Sequence, residues 1–137
     1  MSTAENRVVL KDSTGASLTV NERTTLQVTA TLKDETGTVI TAAALTTMTL
    51  TLYVRDVAAL TIINSVDDVN ILNTGRGTVH ATSGLVTITL FPADNQIVDT
   101  TVEVEWHRAL IEWTYNGGSK AGKYEIDFPV VNLNKVT

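Results

Sequence analysis

Strict alternation of apolar and polar side chains governs two stretches of this chain and limits what it can fold into. Between Thr24 and Leu32, the residues Leu26, Val28, Ala30 and Leu32 share one parity, and Thr25, Gln27, Thr29 and Thr31 hold the other. Met48, Leu50, Leu52 and Val54 repeat the pattern against Thr47, Thr49, Thr51 and Tyr53. A period of two places successive side chains on opposite faces of a strand, whereas a helix would scatter each set around its circumference. Composition points the same way, because 49 of the 137 residues are Thr, Val or Ile, whose branching at Cβ suits a half-buried pleated surface. The expectation is an all-β chain.

Shorter signals fill in the rest. Residues 1–23 read as a polar N-terminal arm in which Val8-Val9-Leu10 can form a short strand before a turn at Asp12-Ser13-Thr14-Gly15. Lys33-Asp34-Glu35-Thr36-Gly37 predicts a hairpin loop, and Thr82-Ser83-Gly84 predicts another between Thr78–Ala81 and Val86–Leu90. Leu60–Ile63 and Val69–Leu72 read as shorter strands, and one short helical turn is expected near Pro92–Val98, where the proline sits at a helix start. Between Val102 and Tyr115 the apolar parity changes: Val102, Val104 and Trp106 precede Ala109, Ile111, Trp113 and Tyr115 on the other phase. A bulge near His107-Arg108 would reconcile them. Asn116-Gly117-Gly118 turns the chain into a last strand with Tyr124, Ile126, Phe128 and Val130 on one face, and Pro129 is expected at an edge or bulge. Seven to nine strands with turn signals about every 8–12 residues predict an immunoglobulin-like antiparallel β-sandwich over 24–133, followed by a tail at 134–137. A small closed barrel is the alternative.

Several function classes lose support from composition. With no cysteine, disulfide scaffolds, thiolate zinc sites and thiol nucleophiles are excluded. A net charge of -5, from 10 Lys+Arg against 15 Asp+Glu, argues against a binder of nucleic acid held by phosphate contacts. No apolar run is long enough for a membrane helix, and Met1–Asn6 lacks the basic and apolar regions of a signal peptide, so function without secretion or membrane insertion is the expectation.

Candidate chemistry is sparse. His80 and His107 lie outside any metal-ligand spacing, and His107 reads as a solvent-side strand residue. No Gly-x-Ser-x-Gly elbow is present. Asp67-Asp68 with Asn70, and Asp94-Asn95, are oxygen-rich but read as turn residues rather than a calcium loop. Gly75-Arg76-Gly77 is too short to cradle a phosphate, which leaves Arg76 as a loop-tip charge available to a partner. Trp113 is expected in the core, while Trp106, Tyr53 and Tyr115 could stack on a sugar. A cell-wall hydrolase would require convergence of carboxylates such as Glu103, Glu105 and Glu112. No catalytic, metal or cofactor site is expected, and Trp106, Tyr53 and Arg76 are the candidate partner or glycan contacts.

Four segments carry a family resemblance: Val39–Leu45 running into Met48–Val54, Gly84–Asp94 with its Phe91-Pro92-Ala93-Asp94 turn, Arg108–Gly118, and Gly122–Leu133. In this order they resemble the small immunoglobulin-like β-sandwich proteins of tailed bacteriophages, and are similar also to the amino-terminal domain of phage baseplate upper proteins. The resemblance covers roughly residues 24 to 133 and brings no active-site residue with it. It implies a non-enzymatic virion structural protein, made in the bacterial cytoplasm, that assembles with capsid, neck or tail subunits as a homo-oligomer. In a chain of this size it implies a head decoration or head-to-tail joining component working through edge strands and terminal arms. The alternative is a tail or baseplate adaptor, or a glycan- or host-receptor-binding sandwich.

Overall fold

A computed structural model describes residues 7–11, 14–16 and 18–133; Met1–Asn6, Asp12, Ser13 and Ser17 of the expected arm, and the expected tail 134–137, lie outside the described residues. In chain order the strands are β1 (Arg7–Val9), β2 (Val20–Asn21), β3 (Leu26–Thr31), β4 (Leu45–Val54), β5 (Val69–Asn70), β6 (Gly77–Val79), β7 (Leu85–Leu90), β8 (Val104–Tyr115) and β9 (Lys120–Val131), with a 3₁₀ helix at Pro92–Asn95 between β7 and β8.

These strands form two sheets. The larger runs β1-β9-β8-β4-β5, with β2 also on β9, and the smaller runs β3-β7-β6. With β3, β4, β6, β7, β8 and β9 as strands B, C, D, E, F and G, and β5 as C′, the sheets are D-E-B and C′-C-F-G. This is the immunoglobulin connectivity. Every pairing is antiparallel except those of β1 and β2, which run parallel to β9 and place residues 7–9 and 20–21 in the larger sheet.

The alternating faces meet between the sheets. Met48, Leu50 and Leu52 from β4, Ile111 from β8 and Ile126 and Phe128 from β9 pack in one buried cluster with Val86, Ile88 and Leu90 from β7. Each such side chain contributes about 1.5–3 kcal/mol of hydrophobic free energy when fully buried. The loops follow local chemistry. Asp34 accepts hydrogen bonds from the amides of Thr36 (2.9 Å) and Thr38 (3.0 Å), which closes the 33–37 hairpin. Pro92 opens the 3₁₀ helix, and Asp94 Oδ2 reaches back to accept the Phe91 amide at 2.8 Å, the return half of a capping box.

Two sequence expectations change. No bulge occurs at His107-Arg108: β8 pairs with β9 in unbroken register from Val104 opposite Val131 to Tyr115 opposite Lys120. The parity of Ala109–Tyr115 therefore continues back to Glu105, so Glu105 and His107 face the core while Val104 and Trp106 face outward. Pro129 lies within β9 on a stretch of its outer edge that neither β1, whose register stops at Asp127, nor β2, whose register starts at Val130, covers, the edge position expected of a residue with no amide to donate. Leu60–Ile63 forms no strand. It follows β4 through a bridge at Ile62 and the Ile63 amide on Leu52 O at 2.9 Å.

Gly77 tests the packing of the smaller sheet. A Cβ there would stand 2.5 Å from the Ile71 carbonyl oxygen and 3.0 Å from Met48 Cε, whereas one at neighbouring Gly75 would meet only Phe91 Cζ at 3.5 Å. Gly77→Ala is expected to cost about 1–3 kcal/mol in urea unfolding, and Gly75→Ala well under 1 kcal/mol.

Candidate functional site

Three polar constellations and one cleft stand out. The first is on the outer face of the larger sheet, where β4, β8 and β9 bring Tyr53 opposite Arg108 and Arg108 opposite Asp127. Arg108 holds the buried Asp127 in a two-point grip, Nε to Oδ1 at 2.7 Å and Nη2 to Oδ2 at 3.0 Å. Hydrogen bonding to Asp127 raises the Arg108 pKa above its ordinary value. Arg55 approaches the same carboxylate at 3.5 Å while gripping Asp56 at 2.9 and 3.0 Å. The Arg55 guanidinium lies 4.2 Å from the Trp106 ring centroid, and that of Arg108 lies 6.0 Å from the Tyr53 ring. Trp106 and Tyr53 are thus neighbours of one cluster, half-buried, each with an arginine over its ring. A sugar stacking on the covered face of Trp106 would have to displace Arg55.

Arg76 belongs elsewhere. It turns inward, its Nη2 2.7 Å from Oδ1 of the fully buried Asp94 and its guanidinium 4.7 Å from the Phe91 ring. Asn64 Nδ2 donates to the same Asp94 oxygen at 2.8 Å. The loop-tip reading of Arg76 is therefore corrected: with its side chain 22% exposed, it serves as counter-ion to a carboxylate that would otherwise be buried alone.

The third constellation corrects the solvent-side expectation for His107. His107 is fully buried, and its Nε2 lies 2.6 Å from Glu105 Oε1. Glu105 also accepts the amides of Val98 (2.9 Å) and Asp99 (2.8 Å), which pins the segment after the 3₁₀ helix over this end of the core. Burial lowers the His107 pKa below its ordinary 6.5 despite the opposing pull of Glu105. The ring is therefore neutral, donates Nε2–H, and leaves Nδ1 without a partner among apolar neighbours such as Phe128. The signal that could have located this pair is the spacing of Glu105 and His107, two apart and in phase with Ala109–Tyr115.

The cleft has a volume of about 740 Å³ and lies between the end of β3 and the hairpin of β8 and β9. Trp113, Tyr115, Gly122 and Tyr124 line one wall, and residues 29–35 line the other. At its mouth Glu35 accepts the Tyr115 hydroxyl at 2.8 Å and pairs with Lys120. That ammonium and the hydroxyl hold the Glu35 carboxyl below its usual range. Trp113 and Tyr115 are buried, as the core reading of Trp113 anticipated.

The carboxylates considered for hydrolysis do not converge. Glu103 is exposed, Glu105 points inward, and Glu112 points outward to Lys123 at 3.3 Å. His80 is exposed, its Nδ1 accepting the amide of Ser83 at 3.1 Å in the turn before β7. Among the described residues no group of three His, Asp or Glu could hold a metal ion, and no helix is long and apolar enough to cross a membrane. No protein-family model matches the chain, and no curated protein aligns with it significantly.

Two measurements check these assignments. Arg76→Ala leaves Asp94 buried without its cation and is expected to cost about 3 kcal/mol in thermal unfolding. For His107 the linkage has a definite sign. Its folded pKa lies below the unfolded value of 6.5, so the unfolded chain takes up the proton first. Its contribution to stability is fully present above pH 6.5 and declines as pH falls through the interval down to the folded pKa. Urea midpoints measured from pH 7.5 to 5 should fall more steeply in the native chain than in His107→Gln, which keeps a donor for Glu105 but does not titrate.

Proposed function

We propose that this chain is a non-enzymatic structural protein of a tailed-bacteriophage virion, a head decoration or head-to-tail joining component that acts by docking to neighbouring subunits. The observation that carries the reading is an immunoglobulin-like sandwich whose uncharged β3 has, among the described residues, no backbone partner on the side away from β7, beside an aromatic cleft. A strand edge with unpaired backbone groups is a template for another chain, so a rigid block that keeps one is suited to assembly. The connectivity agrees with the sandwich that the resemblance to small phage proteins implies, and the acidic and histidine side chains serve turns, ion pairs and core hydrogen bonds rather than one reactive centre.

Mass spectrometry of purified particles tests this reading. The chain should be present in particles at a fixed ratio to the major capsid protein, and should remain with heads after heads and tails are separated. Its absence from particles overturns the reading, and its recovery with tails alone replaces the head or neck position with a tail or baseplate adaptor.

A further inference from the structure

Among the described residues, four buried side-chain atoms lack a hydrogen-bond partner, and His107 Nδ1 is the one able to take up a proton. A buried polar atom left unpaired is costly, so its persistence asks for a cause. The other ring nitrogen, Nε2, shares Glu105 Oε1 with the amide of Val98, at 2.6 and 2.9 Å, while Oε2 takes the amide of Asp99 at 2.8 Å. One carboxylate therefore ties the ring to the segment between the 3₁₀ helix and β8. That segment is the weakest wall of the site. β4 and β9 flank His107 with Val54 and Phe128, inside long antiparallel ladders, whereas residues 96–103 belong to no strand. The front of the segment is held by its two amides on Glu105 and by the burial of Ile97. Its rear is held by Asn132, whose side chain donates to the carbonyls of Thr100 and Val102 and whose amide donates to that of Glu103. A pocket of about 200 Å³, lined in part by Asp99, Val102 and Glu105, brings solvent up to the carboxylate.

We propose that Glu105 and His107 form an acid-operated latch: when the ring takes up a second proton, the front of the segment, Ile97 to Asp99, lets go of the Glu105 carboxylate and water replaces it. With the latch shut, a proton on Nδ1 would meet apolar side chains such as Phe128 and no acceptor, so the closed site excludes it. Burial accordingly holds the ring below its ordinary 6.5. With the latch open, water accepts from Nδ1, and the wet ring binds its proton near the ordinary value while Nε2–H stays on Glu105. Releasing the front of the segment breaks two hydrogen bonds, whereas wetting the ring from the β4 or β9 side would break a ladder. The surrounding groups leave the proton to His107. Leu52 and Val54 of β4, Ile126, Phe128 and Val130 of β9, Val20 of β2 and Ile88 and Leu90 of β7 are apolar. Asp94 of the 3₁₀ helix is paired with Arg76. Asp99 and Asp56 stand at the pocket, and hydrogen bonds from Thr101 and Arg55 hold their carboxyls below the usual range, so neither titrates where the ring does. The charge that acts on His107 is that of Glu105.

The latch is independent of the assembly reading, and it is a local event, distinct from the loss of global stability with falling pH. Amide hydrogen exchange of the full chain, followed residue by residue by NMR and corrected for the intrinsic rate at each pH, tests it. Between pH 7.5 and 5.5 the protection of the Val98 and Asp99 amides should fall by up to about tenfold, the factor for a group that binds a proton at 6.5 in the open state and not in the closed one. Both amides should be less protected than those of Leu110 and Ile111 in the middle of β8, and low urea should not speed their exchange, the mark of local opening rather than unfolding. In His107→Gln, which keeps a donor for Glu105 and does not titrate, the fall should vanish. Protection of Val98 and Asp99 that stays constant with pH, that falls only in step with Leu110 and Ile111, or that falls equally in His107→Gln overturns the latch. Should His107→Gln fail to fold, the comparison of the two sets of amides in the native chain still decides.

Discussion

The unbroken parity of β8 is the constraint on which the rest of the molecule depends. β8 pairs with β4 on one side and β9 on the other over nearly its whole length, so a slip of one residue would exchange every inward and outward side chain of the central strand. Ala109, Ile111, Trp113 and Tyr115 fix the phase, and the cost falls on Glu105 and His107, which the same phase carries into the core. Two buried polar side chains without partners would cost several kcal/mol. Their mutual hydrogen bond, with two backbone amides on the Glu105 carboxylate, removes most of that penalty and at the same time anchors the chain between the 3₁₀ helix and β8. A local sequence that favours a bulge is overruled by the register of a twelve-residue strand.

That conflict also explains what could be read in advance. β3, β4, β7 and β9 were legible because their alternation is clean and one face of each is apolar. The turns at Asp34, Gly84 and Asn116 were legible because positive φ or side-chain acceptance of amides demands particular residues, as the φ of 70° at Gly84 and 53° at Asn116 confirm. In the first half of β8 hydrophobicity does not mark the core face, since Val104 lies 45% exposed and His107 is fully buried. Arg76 misled for a related reason. A charged residue between two glycines looks like a loop tip until the carboxylate it neutralises, 18 positions away, is brought beside it. Pairings at such separations carry no local signature, so the Arg76–Asp94 and Arg108–Asp127 constellations could not be assembled from sequence alone, whereas Glu105 and His107, two apart, share a phase that the sequence does show.

The outer face of the larger sheet shows how the same logic stiffens a surface. Asp127 is nearly as buried as the core although its side chain points away from it, because Arg108 and Arg55 close over it and in turn lie against Tyr53 and Trp106. Guanidinium groups suit this use: they accept the two-point geometry of a carboxylate and present a flat face to an aromatic ring. The residues that seemed best placed to greet a partner are thereby committed to one another, spanning three strands and fixing their side chains.

With that face engaged, the asymmetry of the two sheets acquires a physical meaning. Among the described residues, the larger sheet is covered along part of one margin by β1 and β2 on β9 and at the other by β5 and the 61–66 segment on β4, while the smaller sheet has three strands and a long bare margin along β3. Free strand edges expose backbone groups that water satisfies individually but a neighbouring strand satisfies cooperatively, and sequences under pressure to stay monomeric tend to break such edges with lysine or proline. The chain does so at the start of β9 and not at β3, although both margins border the same cleft. The difference is one of side-chain choice rather than of topology, since a lysine at any of the exposed positions Gln27, Thr29 or Thr31 would point to solvent at little cost to the sandwich. Leaving those positions neutral keeps that margin free of the charges that discourage strand addition.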